Sequence, residues 1–149
     1  MSDLRELYQE LILDHTKAPR NFRAMDNASH QAKGHNPLCG DKLDVFILLN
    51  GDRIEDVSFE GSGCAISTAS ASLMTEMLKG CTREEAEALF ETFHHMLTEG
   101  SPLPEGAPEM GKLEVFEGVR EFPVRVKCAT LAWHTVHAAL EKEGTVTTE

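Results

Sequence analysis

The stretch 44–60 reads DVFILLNGDRIEDVSFE and decides the fold. Branched and aromatic residues fill both of its halves, and such residues favour β-strands. The dipeptide Asn50-Gly51 between the halves is a strong signal for a two-residue hairpin turn. The stretch therefore predicts two antiparallel strands, 44–49 and 53–60. Because apolar and polar residues alternate in the second strand, we expect Ser58 and its polar neighbours to face water.

Helical patterns lie on both sides of this hairpin. Ser2 can cap a first helix, which ends near Pro19. After the hairpin, an Ala- and Ser-rich helix over 65–79 stops at Gly80, a residue typical of the position after a helix C-terminus. The sequence therefore combines helices with the strands of the hairpin.

Further elements follow from local signals. Thr82 and Glu85 have the spacing of a capping box, which predicts the start of another helix. A loop rich in proline and glycine occupies 100–111, and a last helix spans 129–140. A third strand is expected over 30–35.

Composition and charge restrict the class of protein. With 149 residues and 41% hydrophobic content, the chain 1–149 is expected to be a single domain with its own core. A net charge of −11 disfavours nucleic acid as a partner. The longest strongly apolar run, 45–49, is far shorter than the roughly 20 residues of a membrane-spanning helix. The charged N-terminus lacks a signal-peptide pattern, so we expect a cytoplasmic protein with reduced thiols and no membrane association.

Three of the four cysteines stand where a loop leads into a regular element. Cys39 lies in NPLCGD, residues 36–41, where small neighbours leave its sulfur accessible. Cys64 and Cys128 each open a predicted helix, whose positive end favours a thiolate over a thiol. If the three thiols converge, they and Asp41 form a site of three sulfurs and one oxygen. Such a site suits zinc or an iron–sulfur cluster.

Each of these residues also has an ordinary interpretation. Cysteine is among the most buried residue types, and we accept a packing role for Cys81, which has no local ligand pattern. Local sequence alone favours a solvated charge at the start of a strand for Asp41. As a ligand, Asp41 would supply a hard oxygen among soft sulfurs, and its bond to the metal would be the one most easily exchanged. With 24 residues between Cys39 and Cys64 and 63 between Cys64 and Cys128, the spacing is unlike that of a zinc ribbon or finger. Spacing alone leaves their convergence open.

Three blocks of sequence carry a family resemblance. They are NPLCGD at 36–41, FEGSGCAIS at 59–67 and KCATLAW at 127–133. In this order they resemble the signature blocks of iron–sulfur assembly proteins of the IscU/NifU N-terminal type, and residues 8–15 and 19–21 are similar to that family as well. The resemblance implies an α+β fold with a three-stranded antiparallel sheet packed by helices.

Departures from the family pattern indicate one branch of it. The scaffold branch typically has a histidine before its third cysteine and a proline-rich chaperone-binding motif upstream, whereas this chain has Lys127 and EFPVR at 121–125. Together with an added segment within 80–111, these features resemble the SufU branch. That resemblance implies a zinc-binding protein that accepts persulfide sulfur from a pyridoxal-phosphate cysteine desulfurase of the SufS type. Such a protein acts as a sulfurtransferase-like acceptor with that enzyme rather than as a stand-alone enzyme.

Three functions stay open from the sequence. The leading hypothesis is a Zn²⁺-dependent sulfur acceptor, with Cys39 as the persulfide acceptor and Cys39, Asp41, Cys64 and Cys128 as metal ligands. It would also pass on or assemble a transient [2Fe-2S] or [4Fe-4S] cluster on those residues, for downstream iron–sulfur assembly proteins or apo-proteins. The second is a cluster scaffold proper, with zinc as a stand-in. The third is a thiol hydrolase that pairs a cysteine with a histidine, although we expect His15 and His35 to have hydrogen-bonded structural roles.

Overall fold

The computed structural model describes residues 2–100, 102–142 and 145–147. The side chain of Ser2, predicted to cap the first helix, lies outside the described residues. The helices and strands, in chain order, are α1 (Ser2–Lys17), β1 (His30–Asn36), β2 (Asp41–Asn50), β3 (Arg53–Ser62), α2 (Ala65–Leu78), α3 (Arg83–Thr98), a 3₁₀ helix (Gly111–Glu121), α4 (Pro123–Leu140) and β4 (Thr145–Thr147).

The strands form one sheet in the order β3-β2-β1-β4. β1, β2 and β3 pair antiparallel, which confirms the predicted α+β fold with a three-stranded antiparallel sheet, and the short β4 adds a parallel edge beside β1. In the central hairpin Asn50 pairs with Arg53, so the turn residues are Gly51 and Asp52, one position later than predicted. Gly51 has a φ of 64°, a conformation that glycine adopts without strain.

α4 lies across β1 and β2, and α2 packs against both α4 and β3. The crossing of α4 over β1 occurs at Gly34, where any side chain would collide with Thr135. Beside it, Trp133 stacks on Phe93 with ring centroids 4.9 Å apart and donates a hydrogen bond to Ser70. This core fixes the position of α4 relative to the sheet.

The local helix signals of the middle of the chain are confirmed. α2 ends at Leu78, and Gly80 follows with a φ of 88°. Thr82 and Glu85 form the predicted capping box of α3, in which the side chain of each residue accepts a hydrogen bond from the backbone N–H of the other. Among the described residues, no helix combines the length and the apolar character needed to cross a bilayer.

Two parts of the chain differ from the prediction. α4 begins at Pro123, well before the predicted start at 129, because proline fits the first turn of a helix, where no backbone N–H donor is needed. Ser58 is buried, contrary to its predicted exposure. The segment 21–23 covers the outer edge of β3, with hydrogen bonds from Arg23 to the Phe59 carbonyl and from Phe59 to the Asn21 carbonyl. On the face itself, the cross-strand neighbour of Ser58 is Phe46, a large side chain that is also buried.

Candidate metal centre

Cys39 lies at the tip of the hairpin loop between β1 and β2. Asn36 and Asp41 are the last paired residues, so the loop has only four residues, 37–40. The Cys39 N–H donates to the Asn36 carbonyl at 3.3 Å, and Gly40 has a φ of 72°, which closes the loop. Cys39 is half-buried, and its neighbour Leu38 is 58% exposed. The loop therefore presents the Cys39 sulfur near the surface.

Asp41 is fully buried, so the local-sequence interpretation of a solvated charge is wrong. Its Oδ1 accepts the backbone N–H of Cys64 at 2.8 Å, and its Oδ2 accepts Nδ2 of Asn36 at 3.3 Å. A side chain at Gly63 would place its Cβ only 2.6 Å from Oδ1. Because both carboxylate oxygens hold neighbouring groups, Asp41 ties the Cys39 hairpin to the segment before α2.

Cys64 is the N-cap residue of α2, as predicted. Its Sγ accepts the backbone N–H of Ser67 at 3.4 Å, which is the position that a serine or aspartate oxygen takes in ordinary caps. The sulfur therefore points back over the first turn of the helix, where the unpaired N–H groups favour negative charge.

Cys128 is buried in the second turn of α4, so the prediction that it opens a helix is wrong. Its Sγ lies 3.0 Å from the Sγ of Cys39. Burial raises the pKa of the Cys128 thiol, and the neighbouring Cys39 and Cys64 thiols and the Asp41 carboxylate raise it further. A cation bound among these groups would reverse that preference and favour the thiolate.

The structure brings three of the four predicted site residues together. Ligand atoms of Cys39, Asp41 and Cys128 all lie within 4.8 Å of one another, whereas Cys64 is outside this group but near enough to raise the pKa of Cys128. Two sulfurs bound to one tetrahedral zinc at about 2.3 Å each lie about 3.8 Å apart, so the thiols of Cys39 and Cys128 are already within the range of a shared ion. The donor set therefore fits a soft or borderline metal ion.

Two residues of the site were not predicted. Nδ2 of Asn36 lies 3.5 Å from the Cys128 sulfur as well as 3.3 Å from Asp41, so this amide orients two of the candidate ligands. The guanidinium of Arg125 hydrogen-bonds Cys128, which raises the pKa of Arg125, as do the nearby Cys64 and Cys39 thiols. Arg125 precedes Cys128 by three positions, a spacing that indicates contact only once α4 is known to begin at Pro123.

Cys81 and three of the histidines, His15, His95 and His137, have partners outside this site. The Cys81 thiol donates to the Met77 carbonyl at 3.2 Å, and burial, with Glu85 nearby, raises its pKa above the usual 9.0. His15 is buried with its Nδ1 2.7 Å from the Ser72 hydroxyl, the structural role expected for it. His137 pairs with a glutamate rather than with a cysteine, and so does His95. A cysteine–histidine hydrolase pair has no support from these contacts.

The fold is also that of a solved iron–sulfur cluster assembly protein. The family model for the NifU-like N-terminal domain matches residues 7–129, and the chain belongs to this family.

Known proteins match nearly the whole chain. The zinc-dependent sulfurtransferase SufU of Bacillus subtilis (strain 168) is 40% identical over 142 residues, which cover 95% of each chain. The iron–sulfur cluster assembly scaffold protein IscU of Streptococcus pyogenes serotype M1 is 39% identical over 144 residues, 97% of this chain and 89% of its own. The crystal structure of FiSufU from Fervidobacterium islandicum AW-1 has a TM-score of 0.81 at 37% identity and covers 88% of this chain and 94% of that one. The SufU-type resemblance of the three cysteine blocks is confirmed.

Proposed function

We propose that this protein accepts persulfide sulfur on Cys39 from a pyridoxal-phosphate cysteine desulfurase of the SufS type, in a zinc-dependent manner, during iron–sulfur cluster assembly. One observation carries the proposal: Cys39 lies on a short exposed loop, yet its sulfur is 3.0 Å from that of the buried Cys128. Cys39 can therefore belong to a metal site and still be reached by a partner. The similarity to a zinc-dependent sulfurtransferase over 95% of the chain supports the same function.

The residues present fit zinc. Cys39, Asp41 and Cys128 offer ligand atoms within 4.8 Å of one another, and the nearby Cys64 would complete a set of four. Asn36 supplies the outer hydrogen bonds that metal ligands usually have. When bound, Zn²⁺ keeps cysteines deprotonated and has no redox chemistry of its own. A cation would offset the burial and the neighbouring groups that raise the pKa of the Cys128 thiol.

The proposed transfer is an exchange between sulfurs. The thiolate of Cys39 attacks the outer sulfur of the desulfurase persulfide, forming a new S–S bond. The S–S bond within the donor breaks, and the donor cysteine leaves as a thiolate, so no external oxidant or reductant is needed. Leu38, 58% exposed beside Cys39, offers the partner an apolar contact next to the reacting sulfur.

The reaction needs reduced thiols. All four cysteines are free in this structure. Since the cytosol keeps cysteines reduced, we infer a cytoplasmic site of action.

The test is desulfurase turnover with and without this protein. Zinc-loaded wild-type protein should stimulate turnover and carry a persulfide, whereas Cys39→Ser should do neither. Cys81→Ser is the matched control and should behave as wild type, because its thiol lies away from the candidate centre. Stimulation by Cys39→Ser, or persulfide labelling that requires Cys81, would show that the acceptor is assigned wrongly.

A cluster scaffold is the second candidate function. The same four donors could hold a [2Fe-2S] or [4Fe-4S] cluster, and the Streptococcus pyogenes relative is named a scaffold protein. Anaerobic reconstitution with iron and sulfide, followed by transfer to an apo-protein, separates the two. Transfer faster than that from free iron and sulfide would favour a scaffold with zinc as a stand-in. Desulfurase stimulation without such transfer would favour the sulfur acceptor.

A further inference from the structure

A second group of side chains that could hold a metal ion lies on α3, on α4 and at the residue that follows α4. It consists of Glu87, His137 and Glu141, here named the Glu–His cluster, and one ligand atom from each lies within 4.8 Å of the other two. His137 follows Cys128 by nine residues on the same helix, so the two groups are about 13 Å apart along its axis. The Glu–His cluster shares no residue with the cysteine centre.

The geometry of the cluster is built around the His137 ring. Its Nδ1 lies 3.0 Å from both Oε1 and Oε2 of Glu87, so a complete carboxylate converges on one ring nitrogen. Phe90 stacks on the same ring, with centroids 5.5 Å apart and planes 13° from parallel. The imidazole is therefore oriented by packing before any ligand arrives. A preoriented ligand binds with a smaller loss of side-chain entropy.

The cluster is open to solvent on one side. The side chains of His137 and Glu87 are 41% and 32% exposed, and Glu141 is exposed. Two further imidazoles, His134 and His94, pack around the same Phe90 ring. These two rings help hold Phe90 in place and are not part of the three-ligand group. An ion from solution can therefore reach one imidazole and two carboxylates.

We propose that Glu87, His137 and Glu141 bind a divalent transition-metal ion, with water in the remaining coordination positions. Two carboxylates and one imidazole form a borderline-to-hard donor set without sulfur, which suits Zn²⁺ or Fe²⁺. The cysteine centre offers three soft sulfurs instead. The two sites therefore differ in chemistry as well as in place, and the proposal stands or fails independently of the sulfur-acceptor function.

The test is a Co²⁺ titration of the full chain followed by absorption. Cobalt bound to thiolates gives intense charge-transfer absorption, whereas cobalt bound to imidazole and carboxylate gives only weak d–d bands. We expect wild type to bind a second equivalent that adds d–d absorption alone. His137→Gln and Glu141→Gln should lose this second equivalent and keep the first. A variant with serine at Cys39, Cys64 and Cys128 should keep the second equivalent and lose the first.

His95→Gln is the matched control. His95 and Glu99 form a pair at 3.0 Å, the distance of the His137–Glu87 pair, but belong to no three-ligand group among the described residues. This variant should bind as much cobalt as wild type. If His137→Gln and Glu141→Gln, both folded by thermal melting, also bind as much as wild type, the Glu–His cluster is an ion pair only and the proposal is wrong. An equal loss in His95→Gln would indicate unspecific surface binding and overturn it too.

Discussion

A half-buried cysteine lies at each end of α2, Cys64 at its start and Cys81 just beyond its last residue. The two sulfurs contact different backbone groups, an N–H donor in one case and a carbonyl acceptor in the other. At the start of the helix, the Cys64 sulfur accepts the N–H of Ser67. Just beyond its end, the Cys81 thiol donates to the carbonyl of Met77. In the first arrangement the sulfur acts as an acceptor, and in the second it acts as a donor, which requires the proton to stay on sulfur.

This difference shows that burial alone does not assign the chemistry of a cysteine. Both residues have intermediate exposure. Cys64 nevertheless lies near the Cys128 thiol and the Arg125 guanidinium, whereas burial and then Glu85 raise the pKa of Cys81 despite the nearby Arg53. The backbone groups at each end of the helix and the neighbouring thiol distinguish the sulfur that can serve as a ligand.

The largest expected contrast is in zinc binding by Cys64→Ser and Cys81→Ser. Serine is a good N-cap residue, so Cys64→Ser should keep α2 folded while removing one soft ligand. We expect its zinc affinity to fall by more than about 100-fold, beyond the usual effect of losing an outer-sphere partner. Cys81→Ser should bind zinc as wild type. Competition with a chromogenic chelator measures the zinc affinity of each variant. Equal affinities would show that Cys64 is no more a zinc ligand than Cys81.

Removing zinc should make the Cys64 end of α2 less stable and leave the Cys81 end unchanged. At a free zinc concentration about 100 times its Kd, binding adds about 2.7 kcal/mol to stability, which corresponds to roughly 5–10 °C in Tm for a chain of this size. The far-ultraviolet helical signal should persist, because the core is formed without the metal. Hydrogen exchange should accelerate at 64–67 and remain unchanged at 78–81. Complete loss of helical signal on chelation would show instead that zinc is structural.

Asp41 variants test what holds the Cys64 end in place. Asp41→Ala leaves the Cys64 N–H and the Asn36 amide without their acceptor, so we expect a loss of about 1–3 kcal/mol in the free energy of unfolding without zinc. Asp41→Asn keeps an oxygen that accepts the Cys64 N–H, so its free energy of unfolding should fall by less than that of Asp41→Ala. Urea unfolding of the zinc-free proteins measures both. Equal stability of Asp41→Ala and wild type would mean that these hydrogen bonds do not organise the site.

The smallest effect concerns the Cys81 end at alkaline pH. Because the folded state raises the pKa of Cys81 above its usual 9.0, this thiol contributes stability below about pH 9 and loses that contribution as pH rises through the folded value. The free energy of unfolding of wild type should therefore fall more steeply above pH 9 than that of Cys81→Ala. Denaturant titrations from pH 7 to about pH 10.5 give the slopes, and parallel curves would contradict this account.

The sequence predicted the elements whose signals are local. The β2–β3 hairpin, the end of α2 at Gly80, the capping box of Thr82 and Glu85, and the N-cap position of Cys64 each depend on a few neighbouring residues. Such signals survive folding because the groups that satisfy each other are adjacent in the chain.

The errors arise where a residue's partner is distant in the chain. Asp41 is buried because it accepts the N–H of Cys64, 23 positions away, which no local pattern reveals. The early start of α4 was missed because the β-branched Val124 and Val126, which follow Pro123, locally favour extended structure. That error also placed Cys128 at a helix terminus and concealed Arg125. The convergence of the cysteines required the three-dimensional structure.

The four-residue loop that carries Cys39 has a consequence for the rate of the proposed sulfur transfer. Anchored at Asn36 and Asp41, the loop can move its sulfur outward only by short local rearrangements, which take nanoseconds to microseconds. Encounter with a desulfurase present at about 1 μM takes roughly 0.1–10 s at typical association rates. Association with the desulfurase, not the motion of Cys39, should therefore be the slower step. The transfer rate should then rise in proportion to desulfurase concentration.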